Sequence, residues 1–307
     1  MLTPGKPAPF RTIFKLGDTE EEQLRTSLAA WNTLLNQIEA TWPHTIILSA
    51  ELFQRPWRPE TADHIVETLT SIADTITVVS YLRAPDARFR AALQQHVRFR
   101  PGVKKVDGLS YKPSLLPFMG RDGVKVCAHV FERQSLVEGY IVADFCQRHL
   151  PEIGPSDLIR LPADANESIS PEAMSLLQSL NEGDLRILNG TPSKIMRVIQ
   201  EADYSTPGFT RPALRPGIAT AVHSDCSDLD WLKATFGITF TPPRDENAPR
   251  IDLEDLVRVE DFCSVDPVRR RKLWRTARWI AFRKYSWLGK RLPAAPSRRT
   301  QGARQSR

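Results

Sequence analysis

Glu51 and Arg83 are the side chains in this sequence whose type and setting point most directly to chemistry. Each follows a short apolar run: Thr45-Ile46-Ile47-Leu48-Ser49 before Glu51, and Thr75 through Leu82 before Arg83. If both runs are strands of an open α/β sheet, both residues stand just past a carboxyl end, where such sheets bind ligands. A carboxylate placed there can take a proton from an attacking hydroxyl. A planar guanidinium can hold a phosphate through two parallel N–H bonds. Plainer roles compete. Glu51 fits a turn or a cap, and Arg83 fits an ion pair with Asp86, whose charge suits a helix N-terminus. Arg88 and Arg90 come next on the following helix and read as a solvated face. His96 reads as a structural hydrogen-bonder.

Other chemistries find no support. No G-x-S-x-G occurs, which argues against an exposed serine nucleophile on a strand–helix turn. No Asp, His and Cys set has the spacing of metal ligands, so no metal is expected. Cys127, Cys146, Cys226 and Cys263 are far apart, with no C-x-x-C, and read as buried thiols. A strict G-x-x-x-x-G-K-[ST] phosphate loop is absent. Gly5-Lys6 has no strand before it and runs into Pro7. Gly190-Thr191-Pro192-Ser193-Lys194 is a turn into a helix.

The elements that must position these residues follow from periodicity. Helical spacing is expected over 19–41, 61–73, 86–97, 134–149, 170–182, 191–203 and 227–236. Strands are expected at 45–49, 75–82 and 124–131, the second being the most β-branched. Strands alternating with helices predict an α/β fold, a parallel sheet flanked by helices. After Pro151 the strands stop, so a helical part begins at about 151. Residues 1–240 are expected to form the α/β domain, and 241–307 a linker, a basic aromatic helix and a tail that reads as disordered from Leu292.

At 307 residues, 41% hydrophobic and 25% charged, the chain has the composition of a globular protein. No apolar run is long enough to cross a bilayer, and the first residues carry no apolar leader. A cytoplasmic location is expected, peripheral to the inner face of the membrane if the tail binds lipid. Of the 42 basic residues, 14 lie from Pro267 onward, where no Asp or Glu occurs. The remaining 28 face 36 acidic ones, so the net charge of +6 belongs to the tail.

Several segments together resemble the bacterial sulfotransferase-like branch of the P-loop α/β proteins. They are Ile46 to Phe53, Val78 to Asp86, Leu93 to Val97, Val124 to Phe145, Asn166 to Ala173 and Trp231 to Gly237. Their order and spacing carry the resemblance, which covers most of 45–240. It implies sulfonate transfer from 3′-phosphoadenosine 5′-phosphosulfate to a carbohydrate hydroxyl, with Glu51 as base. It places Arg83 on the donor's 3′-phosphate. The serine that the family carries two turns further on corresponds to Ala91, which removes a hydroxyl donor. The loop that cradles the 5′-phosphosulfate in that family has no counterpart ahead of residue 45. The alternative is a non-catalytic binding or scaffold protein on the same fold.

The segment 268–288 supplies a further partner expectation. A basic, Trp-rich helix can lie on an anionic membrane surface. It can equally dock on the body through Leu273, Trp274, Ile280 and Leu288, with its charges solvated. Nucleic acid is disfavoured, because the body is acidic and no reading module is present.

Overall fold

The computed structural model describes residues 19–49, 56–100, 110–159, 168–187, 192–215, 217–241 and 251–286. The chain divides into two units, Met1–Phe53 and Gln54–Arg307.

In the first unit, α1 spans Glu20–Thr41. Thr19 starts it with a reciprocal cap: its hydroxyl accepts the Glu22 N–H, and the Glu22 carboxylate accepts the Thr19 N–H, both at 3.2 Å. Glu20, Glu21 and Glu22 complement the positive end of the helix dipole. The helix stops at Trp42, which turns left-handed (φ 44°) and donates its N–H to the Ile38 carbonyl. The expected strand at 45–49 does not form. Thr45 to Ser49 is irregular, and Ile47 is 56% exposed. A five-residue apolar run becomes a strand only with a partner for its backbone, and among the described residues the strands lie in the other unit.

The second unit is mixed α/β, with a small parallel sheet flanked by helices. α2 spans Pro59–Thr70, β1 Ile76–Leu82, α3 Pro85–Phe99 and β2 Val124–Val130. β1 and β2 pair in parallel from Ile76↔Val124 to Leu82↔Val130. The ladder continues one step further, because Phe131 donates its N–H to the Leu82 carbonyl at 2.7 Å. That bond fixes the backbone immediately before Arg83. Pro85 opens α3, where its missing N–H is no loss, and Phe89, Leu93 and Val97 bury one face of the helix.

The single helix expected over 134–149 is interrupted. Glu138 (φ 52°) and Gly139 (φ 64°) are both left-handed, and only α4, Ile141–His149, is regular. The core then becomes helical. α5, Pro171–Glu182, is buried along its first nine residues and ends at Gly183 in a left-handed turn (φ 85°) that glycine tolerates. It packs against α3, α6 (Pro192–Ser205) and α9 (Pro267–Tyr285), and α7 (Ile218–Asp225) and α8 (Leu229–Phe236) add Ile218, Val222 and Leu232 to the same core. α7 was not expected from the sequence. α9 belongs to this unit and buries Leu273, Ala277, Ile280 and Ala281 in the same core as α5 and α6.

One knot holds this helical core. Arg269, at the start of α9, is 5% exposed. Its Nη1 donates to Glu172 Oε2 (2.8 Å) and Ser170 Oγ (2.7 Å). Its Nη2 donates to Asp203 Oδ1 (2.9 Å) and to the carbonyls of Asp203 and Thr206, and its Nε donates to the Pro207 carbonyl. Ser170 is also the cap of α5, accepting the Ala173 N–H. Three helices thus share one fully paired guanidinium.

Candidate site at the carboxyl end of the parallel pair

Arg83 stands past the carboxyl end of β1, where the sequence placed it, and Glu51 lies outside the described residues. Arg83 opens onto a small cleft of about 30 Å³ lined by Leu82, Arg83, Arg88, Tyr111 and Ser114. The guanidinium of Arg83 lies over the Phe131 ring, 4.8 Å from its centroid. That contact is a product of strand pairing, since Arg83 and Phe131 are the next residues beyond the paired ends Leu82 and Val130.

Arg88 is half-buried and not part of a solvated face. Its guanidinium lies 4.8 Å from the Tyr111 ring centroid, and Nη1 donates to the Ser110 carbonyl at 3.1 Å. The Tyr111 hydroxyl donates to the Arg83 carbonyl at 2.7 Å. Burial, first of several causes, pushes the Tyr111 phenol well above its ordinary pKa, so it stays protonated. Ser114 donates its hydroxyl to the Tyr111 carbonyl at 2.8 Å. Both hydroxyls are therefore committed as donors, and the cations supply the cleft's pull on an anion.

A clamp holds the wall of the cleft. Asp228, at the start of α8, accepts the Ser110 hydroxyl and the Lys112 N–H, the latter at 2.7 Å. Burial alone would raise the Asp228 carboxyl, but these hydrogen bonds outweigh it and hold it below the usual range. Arg88 was expected on a solvated face, and Tyr111 and Ser114 were not singled out in the sequence at all. Tyr111 and Ser114 follow a stretch with no periodicity, and their contacts with β1 and α3 are long-range.

A second constellation ties β1 and β2 to α4. Asp144, fully buried, accepts from the Tyr81 hydroxyl (2.7 Å), from Arg148 Nε (2.7 Å) and Nη2 (3.2 Å), and from the Val137 N–H (3.1 Å). Burial works against its charge, but these bonds prevail and lower its pKa. Beside it, His129 and His149 share a hydrogen bond between their Nε2 atoms at 2.9 Å. Burial chiefly, then Arg148 for His129 and Lys125 for His149, pushes both below the ordinary histidine value.

No family model matches this chain, and neither does any curated protein or solved structure. The site must be read from its own chemistry. Among the described residues, no group of three His, Cys, Asp or Glu is placed to hold a metal ion. Cys263 sits in the core, where burial pushes its thiol up to about 11, far from a reactive thiolate. Among the described residues no helix is long and apolar enough to cross a membrane.

Proposed function

We propose that the cleft binds a phosphate monoester. On the sulfotransferase resemblance, the ligand is the 3′-phosphate end of 3′-phosphoadenosine 5′-phosphosulfate, whose sulfonate passes to a carbohydrate hydroxyl. The observation that carries this reading is the convergence of two guanidinium groups, Arg83 and Arg88, on one cleft at the carboxyl end of a parallel pair. Both guanidinium groups stack, on Phe131 and Tyr111, and Arg88 also gives Nη1 to the Ser110 carbonyl; a phosphate would be read by in-plane N–H groups. Asp86, in the first turn of α3, opposes an anion, which limits the affinity. The donor's other end, the 5′-phosphosulfate, has no recognisable loop among the described residues, and Glu51 as base is carried by the resemblance alone.

One observation favours the non-catalytic reading on the same scaffold. The Tyr111 and Ser114 hydroxyls are spent on backbone carbonyls, and Ala91 brings none. Such a cleft attracts phosphate by charge and directs it weakly.

The test is calorimetric titration of the full chain with 3′-phosphoadenosine 5′-phosphate and with adenosine 5′-phosphate. Weak binding, on the order of millimolar, is expected for the first and still weaker binding for the second. Arg83→Met should remove that preference, since a hydrogen bond to a charged group is worth roughly 1.5–3 kcal/mol, or about 10- to 100-fold. Equal affinity for the two nucleotides, or a preference that survives Arg83→Met, would overturn the assignment.

A further inference from the structure

The inner face of α9 closes the core, and its outer face is a separate surface. Val268, Trp279, Phe282 and Tyr285 are 52%, 50%, 44% and 42% exposed. Between them Arg271, Lys272, Arg275 and Arg278 are exposed. These positions succeed one another at i+3 and i+4 along the whole helix, so they form one stripe. Arg283 lies over the Trp279 ring, 5.1 Å from its centroid, and adds a fifth cation beside the stripe. No Asp or Glu occurs from Pro267 onward.

Charge complementarity calls for a polyanion, and the aromatic residues decide which. Along a nucleic-acid duplex, whose bases are already stacked on one another, the cations would find phosphates, but Val268, Trp279 and Phe282 would stay in water. At a bilayer surface both halves of the stripe are used. Trp and Tyr settle at the headgroup level, and Lys and Arg reach the lipid phosphates. The 19-residue helix is ~28 Å long at 1.5 Å per residue, enough to lie flat along such a surface.

We propose that the outer face of α9 docks on an anionic lipid bilayer while its inner face remains in the protein core. Membrane attachment and core docking are then properties of opposite faces of one helix. Leu273 and Ile280, which the sequence offered to either role, belong to the core. This inference stands apart from the anion cleft.

The test is co-sedimentation of the full chain with vesicles of phosphatidylcholine alone and of phosphatidylcholine mixed with phosphatidylglycerol. Binding is expected only to the mixed vesicles, and it should fade with added salt. The combined R271E, R275E and R278E variant should bind ~100-fold more weakly or worse. A second variant, W279S with F282S, should also lose most of the binding. Both should melt close to the parent, since the substituted side chains are exposed. No binding to mixed vesicles, or equal binding to neutral ones, overturns the proposal. So does a W279S/F282S variant that binds like the parent while duplex DNA displaces the protein from lipid, which would assign the stripe to nucleic acid.

Discussion

Arg269 and the pair Arg83 and Arg88 are the same kind of side chain in opposite circumstances. Arg269 is enclosed by Glu172, Asp203, Ser170 and three backbone carbonyls. Arg83 and Arg88 rest on aromatic rings at the rim of an open cleft. A guanidinium saturated by buried acceptors has nothing left for a ligand and serves the fold. One that rests on a ring at the rim of a cleft is, on the proposed function, set for recognition. Position along the chain hints at this division for Arg83, which follows a strand, but not for the other two. Arg269 sits in the most basic stretch of the sequence and looks like surface, whereas Arg88 sits on a mixed helix and looks equally ordinary.

The comparison breaks most visibly at Arg269. Arg269→Met leaves Glu172 and Asp203 buried without their cation and should cost about 3–5 kcal/mol, measured by urea unfolding. Adding Glu172→Gln and Asp203→Asn should recover part of that loss. A triple variant less stable than the single one would mean the carboxylates act through their other bonds. Arg88→Met should cost about 1 kcal/mol, from one hydrogen bond and one ring contact.

Arginines keep their charge, so the acid sensitivity of the fold should come from elsewhere. His129 and His149 have folded pKa values below the unfolded one, so the unfolded chain binds more protons as pH falls. Their stabilisation is complete above about pH 6.5 and is lost as pH drops from there through the depressed folded values. Arg148 and Lys125 facing the pair strengthen this trend, and Asp144 opposes it. His149→Gln should flatten the decline of melting temperature between about pH 7 and pH 5; an unchanged slope would place the acid sensitivity at the carboxylates or at His223 in α7, which burial also pushes below the ordinary histidine value. The smallest effect expected is on stability in Arg83→Met, within about 0.5 kcal/mol, because the side chain is exposed.

The parts of the fold legible in the sequence were those whose pattern is local. β1 and β2 are β-branched and apolar, and the parallel pairing expected of them is present. α3, α5, α6 and α8 show their helical spacing, and Arg83 falls at the strand end. The misses have physical causes. Ile46 to Leu48 has strand composition but no partner backbone. The 134–149 segment has helical spacing, but Glu138 and Gly139 turn left-handed within it. α7 is only eight residues, with Ile218, Thr220 and Val222 lowering its helix propensity. The cleft's second arginine and its tyrosine, and the partners of Arg269, depend on contacts between distant segments. Arg269 and Glu172 are 97 residues apart, and no spacing rule reaches that far.

That separation also gives the knot an order in time. Asp203 is synthesised 66 residues before Arg269, a delay of ~3–13 s at 5–20 residues per second. During that interval α5 and α6 carry two carboxylates destined for burial and no cation to accompany them. Closing the two helices before α9 arrives would leave Asp203 with the Ser170 N–H and hydroxyl but no cation, and Glu172 without its ion pair, which disfavours early closure. The part of the α5 surface that α9 covers is then open until α9 emerges, while α3, made earlier, can already cover another part. Arg269 arrives last and brings the positive charge that offsets both buried carboxylates.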